Sequence, residues 1–312
     1  MKTLKVLFVG LGSIGKRHLK NLHAVAAERG AQVQAWALRS SKKPLPDDVC
    51  AQLAGQLYAW DEAAYDYDAA FVTNPTSLHF DALQKLRGRA RALFIEKPLF
   101  SDPSQRLADC IDEAQTAYVA APMRWCGAML ALKAALGGLR PYSARVICSS
   151  YLPDWRPGVD YRTVYSARRA LGGGVTIDLI HEWDYLVDLF GMPLETHNLR
   201  GTYSELEIDS DDLSVYIARW PHMLGEVHLD YFGRTYRRSI ELFCKDGTVT
   251  ADFGAGTLTL ADGTVQNYAE PVNERYVREM RHFLDVLDGR CASANTPQTA
   301  LNVLKLTLGE SV

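Results

Sequence analysis

Short apolar runs alternate with longer amphipathic stretches through roughly the first 120 residues, and this is the pattern of a parallel sheet wrapped by helices. A helix is predicted from about Ile14 to Arg29, and Gly30 closes it. Strands are predicted at residues 4–9, 33–38, 69–73, 92–96 and 118–121. Because ligands bind beyond the carboxyl ends of parallel strands, we expect the residues that follow these runs to carry the chemistry.

The rhythm changes after about residue 123, where a few longer helices and several alternating strands follow. Hairpin signals at Asp246-Gly247 and Asp262-Gly263 lie between the later apolar runs, which favours an antiparallel sheet. The predicted helices cover about residues 125–136, 175–190, 274–287 and 299–308, and the predicted strands cover 144–151, 213–220, 225–231 and 239–243. The pattern therefore predicts an α/β chain of two domains, residues 1–122 and 123–312, with a C-terminal helix that is able to pack back on the first domain.

Composition narrows the class of protein. The 312 residues are 47% apolar and 23% charged, which is enough to bury one or two cores. A net charge of −3 argues against a nucleic-acid partner, and no apolar stretch approaches the ~20 residues of a membrane helix. The six cysteines form no C-x-x-C pair, so we expect reduced thiols in a cytoplasmic protein and no metal site.

The first predicted strand leads directly into a glycine-rich turn, Gly10-Leu11-Gly12-Ser13-Ile14-Gly15, and a helix follows. A strand before the glycines and a helix after them indicate a dinucleotide fingerprint rather than a structural glycine turn. Gly10 allows the tight turn, Gly12 allows the backbone to approach a pyrophosphate, and Gly15 allows close packing. The backbone of Ser13 and Ile14 then opens a helix whose N-terminus attracts the anion.

The end of the second strand bears on the choice of cofactor. An acidic residue there binds the ribose hydroxyls of NAD, whereas this chain has Arg39 and Ser40 followed by further basic residues. Arg39 can contact a 2′-phosphate with two hydrogen bonds, and Ser40 can donate another. We therefore favour NADP over NAD, the alternative being NAD bound beside an ordinary solvated basic turn.

Four motifs in order carry a family resemblance: GLGSIGKRH at 10–18, TNPTSLHFDAL at 73–83, EKPL at 96–99 and GGGVTIDLIHEWDYLVDLFG at 172–191. The chain resembles the Gfo/Idh/MocA oxidoreductase family over nearly its whole length. The resemblance implies a Rossmann dinucleotide-binding domain, then an α/β domain for substrate binding and oligomerisation with an open, mostly antiparallel sheet. It also implies hydride transfer between NAD(P) and a hydroxyl carbon of a sugar, cyclitol or related polyol.

The same resemblance implies two catalytic residues, Lys97 near the nicotinamide and His181 as general acid and base. Oxidation of a secondary alcohol needs a base for the hydroxyl proton and a donor for the developing negative charge, which agrees with that pair. We favour Lys97 polarising the oxygen and His181 moving the proton. The alternatives are a solvated lysine and a structural histidine.

One departure from the family pattern concerns a third catalytic group. Relatives place an aspartate four residues before the helix histidine, where this chain has Ile177, and Asp178 is three residues before it. Spacings of three and four share a helix face, so Asp178 remains a candidate for orienting His181. Asp184, three residues after the histidine, competes for that role.

Further cofactor contacts are implied at the ends of two strands. The candidates are Thr73, Asn74, Pro75, His79, Glu96 and Lys97. For Pro75 and His79, a structural cap or a core contact is an equal alternative.

The segment from residue 151 to 162 is the main candidate for substrate recognition, because aromatic faces stack on sugar rings while guanidinium and carboxylate groups bind hydroxyls and anions. A surface loop with internal ion pairs is the alternative. The candidates here are Asp154, Trp155, Arg156, Tyr161 and Arg162, and elsewhere Arg124, Asp184, His228 and Asp230. His228 and Asp230 share a strand face and would touch substrate if that face lines the cleft. The arginines hint at a carboxylate or phosphate on the substrate.

These observations together predict an NAD(P)-dependent oxidoreductase acting on a secondary hydroxyl or keto carbon of a sugar, sugar acid or cyclitol. The D-W-R-P-G-x-D-Y-R and H-E-x-D-Y-L segments are similar to a bacterial branch linked with cell-surface sugar biosynthesis, including nonulosonic acids. Two alternatives remain: a family member that uses the nicotinamide transiently for glycoside hydrolysis or elimination, and a non-catalytic sugar sensor. A homo-oligomer formed through the second sheet is also expected from the family.

Overall fold

The computed structural model describes residues 2–310 and contains fourteen strands and eight α-helices within that range. The strands are β1 (Lys2–Val9), β2 (Ala31–Leu38), β3 (Gly55–Leu57), β4 (Tyr67–Val72), β5 (Ala90–Ile95), β6 (Thr116–Val119), β7 (Ser143–Tyr151), β8 (Glu195–Gly201), β9 (Leu213–Arg219), β10 (Leu224–Asp230), β11 (Phe232–Cys244), β12 (Gly247–Asp252), β13 (Thr257–Thr259) and β14 (Val265–Asn267). The helices are α1 (Ser13–Glu28), α2 (Asp47–Cys50), α3 (His79–Leu86), α4 (Gly127–Ala135), α5 (Val175–Asp178), α6 (His181–Phe190), α7 (Asn273–Leu287) and α8 (Pro297–Leu308).

The chain divides into two compact units. The first unit contains residues 2–120 and 276–301, and the second contains residues 121–275 and 302–310. The sequence pattern places residues 276–301 in the second domain, with a C-terminal helix able to pack back on the first. In the structure these residues lie in the first unit, because α7 buries its apolar face in that unit's core.

The first unit is built on a six-stranded parallel sheet in the order β3-β2-β1-β4-β5-β6. The strand order reverses between β1 and β4, and this reversal is where doubly wound sheets bind dinucleotides. The predicted Rossmann arrangement is confirmed.

Three phenylalanines lie at one register across the middle of this sheet. Phe8, Phe71 and Phe94 are paired on β1, β4 and β5, and neighbouring rings stack at 4.6 and 4.9 Å. Phe283 of α7 contacts Phe71 and Phe94 edge-on at 5.3 and 5.2 Å. Such aromatic pairs contribute about 0.5–1.5 kcal/mol each beyond their buried area. They therefore make α7 part of the core beneath the carboxyl ends of the strands.

The second unit contains an eight-stranded sheet in the order β14-β13-β12-β11-β7-β10-β9-β8. Only β7 and β10 pair in parallel, so the predicted mostly antiparallel sheet is confirmed. One face carries Tyr216 and Val227 at paired positions, and Trp183 of α6 packs on Tyr216 at 5.1 Å. We call this the helix-covered face and the other the opposite face.

The long helix predicted over residues 175–190 is two helices. The backbone of Leu179 leaves the helical region, with φ −98° and ψ 27°, and the N–H of Ile180 donates to the carbonyl of Ile177 in a tighter turn. The break separates Asp178, the last residue of α5, from His181, the first residue of α6.

Among residues 2–310, no helix has both the length and the apolar character needed to span a membrane.

Candidate active site

The glycine turn after β1 is shaped by close backbone contacts. Gly10 has φ +83°, and a Cβ atom there would lie 2.7 Å from the Cα of Asn74. A Cβ atom on Gly15 would lie 2.8 Å from the Oγ1 of Thr73. Both positions therefore require glycine. Gly10 adopts a left-handed conformation, and Gly15 allows Thr73, at the end of the neighbouring strand β4, to lie close.

The N-terminus of α1 faces open space. Gly12 precedes the helix without a side-chain cap, and a Cβ atom there would meet no atom within 4 Å. The first N–H groups of a helix have no intrahelical partner, and here they belong to Ser13, Ile14 and the following residues. An uncapped helix start behind a tight glycine turn fits the diphosphate of a dinucleotide, so the residues present suit the cofactor that the sequence predicts.

Thr73 fastens the end of β4 to this turn. Its buried hydroxyl donates to the carbonyl of Gly10 at 2.6 Å, which fixes the loop from the side of the neighbouring strand. Among the residues that follow, Pro75 is exposed, and Asn74 has a buried Oδ1 without a hydrogen-bond partner among the described residues. Thr73 therefore acts on the loop, while Asn74 still has an acceptor to offer.

His79 is fully buried at the start of α3. Its Nδ1 and Nε2 atoms each lie 3.1 Å from a backbone carbonyl, of Leu99 and Asn74 respectively. Burial lowers the pKa of His79, and the two carbonyls only partly oppose that effect. The His79 ring lies between the loop after β4 and the loop after β5 and contacts one backbone carbonyl of each, so any effect of His79 on a cofactor passes through those backbones.

Glu96 joins the end of β5 to α1. Its Oε1 lies 2.5 Å from Nε2 of the buried His18, and its Oε2 accepts a hydrogen bond from the backbone N–H of Lys97 at 3.1 Å. Burial raises the pKa of Glu96, but the contact with His18 and the charges of His18 and Lys97 outweigh it and lower the pKa overall. Lys97 therefore directly follows Glu96, whose carboxylate is held by His18 of α1.

Arg39 lies half-buried just after β2. Its guanidinium donates to Oε1 of Gln56 at 2.5 Å and to the carbonyl of Lys43 at 2.7 Å, while Ser40 is exposed. These contacts hold the Arg39 side chain across the basic turn without an acidic partner within it.

Asp178 is buried in the second unit and accepts two tyrosine hydroxyls. Tyr231, next to the end of β10, donates to its Oδ2 at 2.5 Å, and Tyr165 donates to its Oδ1. Burial raises the pKa of both tyrosines, and the neighbouring carboxylate raises it further. Both hydroxyls are therefore retained as donors, and they set the position of the Asp178 carboxylate.

His181 is half-buried at the first position of α6. The next residue, Glu182, is fully buried and receives Nε and Nη2 of Arg238 at 2.6 and 3.0 Å. This two-point ion pair joins α6 to β11 directly beside the candidate catalytic histidine.

Two predicted substrate residues form an ion pair with each other. Arg124 is buried, and its Nε and Nη2 donate to Asp184 at 2.9 and 2.7 Å while Nη1 donates to Asp188 at 3.2 Å. Arg124 is thus engaged by carboxylates of this chain, and so is Asp184, the other candidate for orienting His181.

The segment between β7 and α5 forms a surface depression. Its lining includes Trp155, Tyr161, Arg156 and the apolar side chains of Leu152, Val159 and Val164. The indole Nε1 of Trp155 donates to Oγ of Ser150 at 3.1 Å, and its ring meets Tyr231 edge-on at 5.2 Å. Three of the five residues singled out in this segment therefore line one concave surface.

The other two do not line it. Arg162 forms ion pairs with Asp160 at 2.9 Å and Glu207 at 2.8 Å, as the loop alternative expects, and Asp154 is exposed.

His228 and Asp230 both lie on β10. They are neighbours on one strand face, with Nε2 of His228 3.0 Å from Oδ2 of Asp230. That face is the opposite face of the sheet, because His228 is paired with Ile147 and Val215 while the alternate position Val227 lies on the helix-covered face. On that face Asp230 accepts the N–H groups of Phe232 and Gly233. A contact of either residue with substrate stays a prediction.

Sequence reasoning gave no role to three residues that shape these sites. His18 closes the first motif, and its place one turn beyond Gly15 was an available signal. Tyr165 and Tyr231 act on Asp178 from 13 and 53 positions away, and no local pattern reveals such a contact. Among residues 2–310, no three His, Cys, Asp or Glu side chains are grouped to bind a metal ion.

Comparison with known proteins gives a family match and several structural relatives. Residues 4–121 match the Gfo/Idh/MocA family, described as an oxidoreductase family with an NAD-binding Rossmann fold. Inositol 2-dehydrogenase from Rhizobium meliloti (strain 1021) is 25% identical over 196 residues, which is 61% of this chain and 56% of that protein. The chain thus matches little more than half the length of this relative.

Solved structures match over nearly the whole chain. Levoglucosan dehydrogenase in complex with NADH and levoglucosan has a TM-score of 0.82 at 17% identity, covering 98% of this chain and 95% of that one. The WlbA dehydrogenase from Bordetella pertussis, in complex with NADH and UDP-GlcNAcA, has a TM-score of 0.78 at 21% identity, with coverage of 98% and 95%. At these identities the likeness shows a shared fold.

Proposed function

Because residues 4–121 belong to the Gfo/Idh/MocA family of NAD-binding oxidoreductases, we propose that this chain transfers a hydride between NAD(P) and a secondary hydroxyl or keto carbon of a sugar, sugar acid or cyclitol. The observation that carries the proposal is the link from Lys97 through Glu96 to His18 of α1. It ties the backbone of the candidate catalytic lysine to the helix that starts at the glycine turn.

The cofactor would be held at the carboxyl ends of the first sheet. Gly10, Gly12, Ser13 and Ile14 offer the turn and the uncapped helix start, and Asn74 adds an unpartnered acceptor. When bound, NAD(P) supplies the acceptor or donor of hydride, and this chain supplies the proton chemistry.

Lys97 and His181 divide that chemistry. An ammonium donates a hydrogen bond to the substrate oxygen and stabilises negative charge there. An imidazole takes the hydroxyl proton in the oxidative direction and returns it in the reductive direction. We propose Asp178, three residues before His181, as a positioning group.

We favour NADP over NAD as the cofactor. The support is Arg39, a half-buried cation at the end of β2 whose guanidinium is anchored by Gln56 and by the carbonyl of Lys43. An anchored guanidinium binds a phosphate at less entropic cost than a free one, and exposed Ser40 beside it can add a donor.

A homo-oligomer formed through the opposite face of the second sheet is part of the proposal. Leu199 and Ile217 are 78% and 43% exposed there, and paired strands place both on that face. Light scattering should show a multimer, and Ile217→Glu should shift it towards the monomer. We also propose a reducing, cytoplasmic setting, because the six cysteines are free thiols.

The test is a cofactor balance with a panel of sugars, sugar acids and cyclitols. A dehydrogenase changes the near-ultraviolet absorbance of the nicotinamide by one equivalent per substrate converted. Conversion of a sugar without net absorbance change would identify transient use of the nicotinamide instead, and sugar binding without conversion would indicate a sensor.

A further inference from the structure

The depression between β7 and α5 offers a surface suited to a sugar ring. Trp155 is 38% exposed, while its indole N–H is fixed by Ser150 and its ring by the edge of Tyr231. An exposed indole that is already fixed loses little conformational entropy when a ring packs against it. Tyr161 and the apolar side chains of Val159 and Val164 complete the lining.

Arg156 is the cation of this lining. The nearby arginines Arg162 and Arg168 differ from it in having carboxylate neighbours. Arg162 is neutralised by Asp160 and Glu207, and Arg168 lies 3.9 Å from Asp209. Within residues 2–310, no carboxylate lies within ion-pair distance of Arg156, whose guanidinium lies 5.9 Å from the centre of the Tyr165 ring. The Arg156 guanidinium is therefore available to an anion from solution. Its contact with the Tyr165 ring helps to fix its position.

The depression is also connected to the catalytic segment. Trp155 touches Tyr231, Arg156 lies over Tyr165, and both tyrosines donate to Asp178, three residues before His181. A ligand in the depression is thus two side chains away from Asp178. A ligand in the depression would therefore act on the residue that lies three positions before the candidate catalytic histidine.

We propose that the depression binds the part of the substrate that carries an anionic group, a carboxylate or a phosphate attached to a sugar ring, with Arg156 contacting the anion and Trp155 contacting the ring. This inference rests on the proposed function for the identity of the ligand as substrate. It narrows the substrate class to acidic or phosphorylated sugars.

The test follows the indole N–H resonance of Trp155, one of six tryptophans, in NMR spectra of the whole chain. The variant Trp155→Phe assigns the resonance. D-glucuronate, D-glucose-6-phosphate and D-glucose are titrated separately into the wild type, into Arg156→Gln and into Arg140→Gln, which removes the same charge from an exposed position of the same unit. No cofactor or turnover is needed.

We expect at least one anionic sugar to move the Trp155 resonance with an affinity about tenfold above that of glucose, the factor expected for one charge-assisted hydrogen bond. Arg156→Gln should abolish this preference, and Arg140→Gln should retain it. The stronger of the two anionic probes identifies carboxylate or phosphate. If neither anionic sugar moves the resonance, or if Arg156→Gln binds both as well as the wild type, the inference is wrong.

The two proposals fail separately. Cofactor reduction with neutral sugars and no Arg156-dependent binding would leave the proposed function standing without this subsite. Arg156-dependent binding of an acidic sugar without any nicotinamide chemistry would support this subsite and contradict the proposed function.

Discussion

Nε2 of His18 lies 2.5 Å from Oε1 of Glu96, although 78 positions separate the two residues. The His18 ring packs against Phe94 at 4.6 Å and meets Tyr276 edge-on at 6.0 Å, so it cannot turn away from the carboxylate. Because the other oxygen of Glu96 accepts the N–H of Lys97, this contact joins α1 to the lysine loop.

Replacement of His18 by leucine should affect both stability and turnover. His18→Leu fills most of the space but leaves the Glu96 carboxylate without its partner, at a cost of roughly 1–3 kcal/mol in the free energy of unfolding. We expect kcat to fall more than KM rises. Urea unfolding and steady-state kinetics measure the two effects. His23→Leu on the same helix should cost less, because the His23 ring contacts a backbone carbonyl, that of Gln52, rather than a carboxylate. Equal losses from both variants would contradict the role given to His18.

Removal of the Lys97 ammonium should separate catalysis from cofactor binding. Lys97→Ala loses the donor to the substrate oxygen, so we expect kcat to fall by about a hundredfold or more. The dissociation constant of the reduced cofactor, followed by its fluorescence, should stay within about twofold because the glycine turn and α1 are unchanged. Lys245→Ala, at an exposed hairpin position of the second unit, should alter neither quantity. Near-normal turnover in Lys97→Ala would refute the assignment.

A change of charge at Arg39 should reverse the cofactor preference. Arg39→Asp places a carboxylate where it repels a 2′-phosphate and can accept the ribose hydroxyls. We expect NADPH to bind at least about tenfold more weakly relative to NADH, measured by titration of both cofactors. Arg106→Asp, a 76% exposed arginine side chain in the same unit, serves as the control. Equal losses for the two cofactors would count against a phosphate contact.

The buried His79 predicts a direction of pH dependence. Burial lowers its pKa in the folded protein, so below its ordinary value near ~6.5 the unfolded chain binds more protons than the folded one. The free energy of unfolding should therefore decrease as pH falls from that value towards the folded pKa. Urea unfolding at about pH 5 and about pH 7.5 measures how much the free energy of unfolding changes with pH, and this change should be smaller in His79→Gln. Part of the change should remain, because burial also lowers the pKa of His282. An unchanged slope would show that His79 is not the titrating group.

Removal of one partner of the buried ion pair between Glu182 and Arg238 should destabilise the protein strongly. Arg238→Met leaves a fully buried carboxylate without its cation and should lower the free energy of unfolding by about 3–5 kcal/mol. The double variant Glu182→Leu with Arg238→Met should recover much of this loss, since no charge is left buried. Urea unfolding of the single and double variants measures the difference. A double variant as unstable as the single would show that packing, not charge, governs the site.

The regular pattern of the first domain was sufficient to predict most of its elements. The later residues of its central strands β1, β4 and β5 are buried and read as continuous apolar runs, as Phe8, Phe71 and Phe94 illustrate. The edge strand β8 was missed because its sequence ETHNLRG is mostly polar and half exposed. An edge strand pairs on one side only and needs little apolar surface, so periodicity alone does not reveal it.

The break between α5 and α6 was not predictable from local sequence. The segment from Asp178 to His181 contains no glycine or proline. Asp178 is fixed by the hydroxyls of Tyr165 and Tyr231, and these contacts arise only when the sheet has formed. The same limitation applies to Arg124 and Arg156, because residue type alone cannot tell an arginine that meets two aspartates from one that meets none.

The return of α7 to the first unit has a practical consequence for dissecting the protein. The family match ends at residue 121, yet Met280, Phe283 and Leu284 belong to the same core as Phe71 and Phe94. A fragment ending at residue 121 would leave Phe71 and Phe94 without the side chains of α7 that cover them. Such a fragment would be prone to self-association on expression. A soluble nucleotide-binding fragment would need residues 276–301 joined to the first 120 by a short artificial linker.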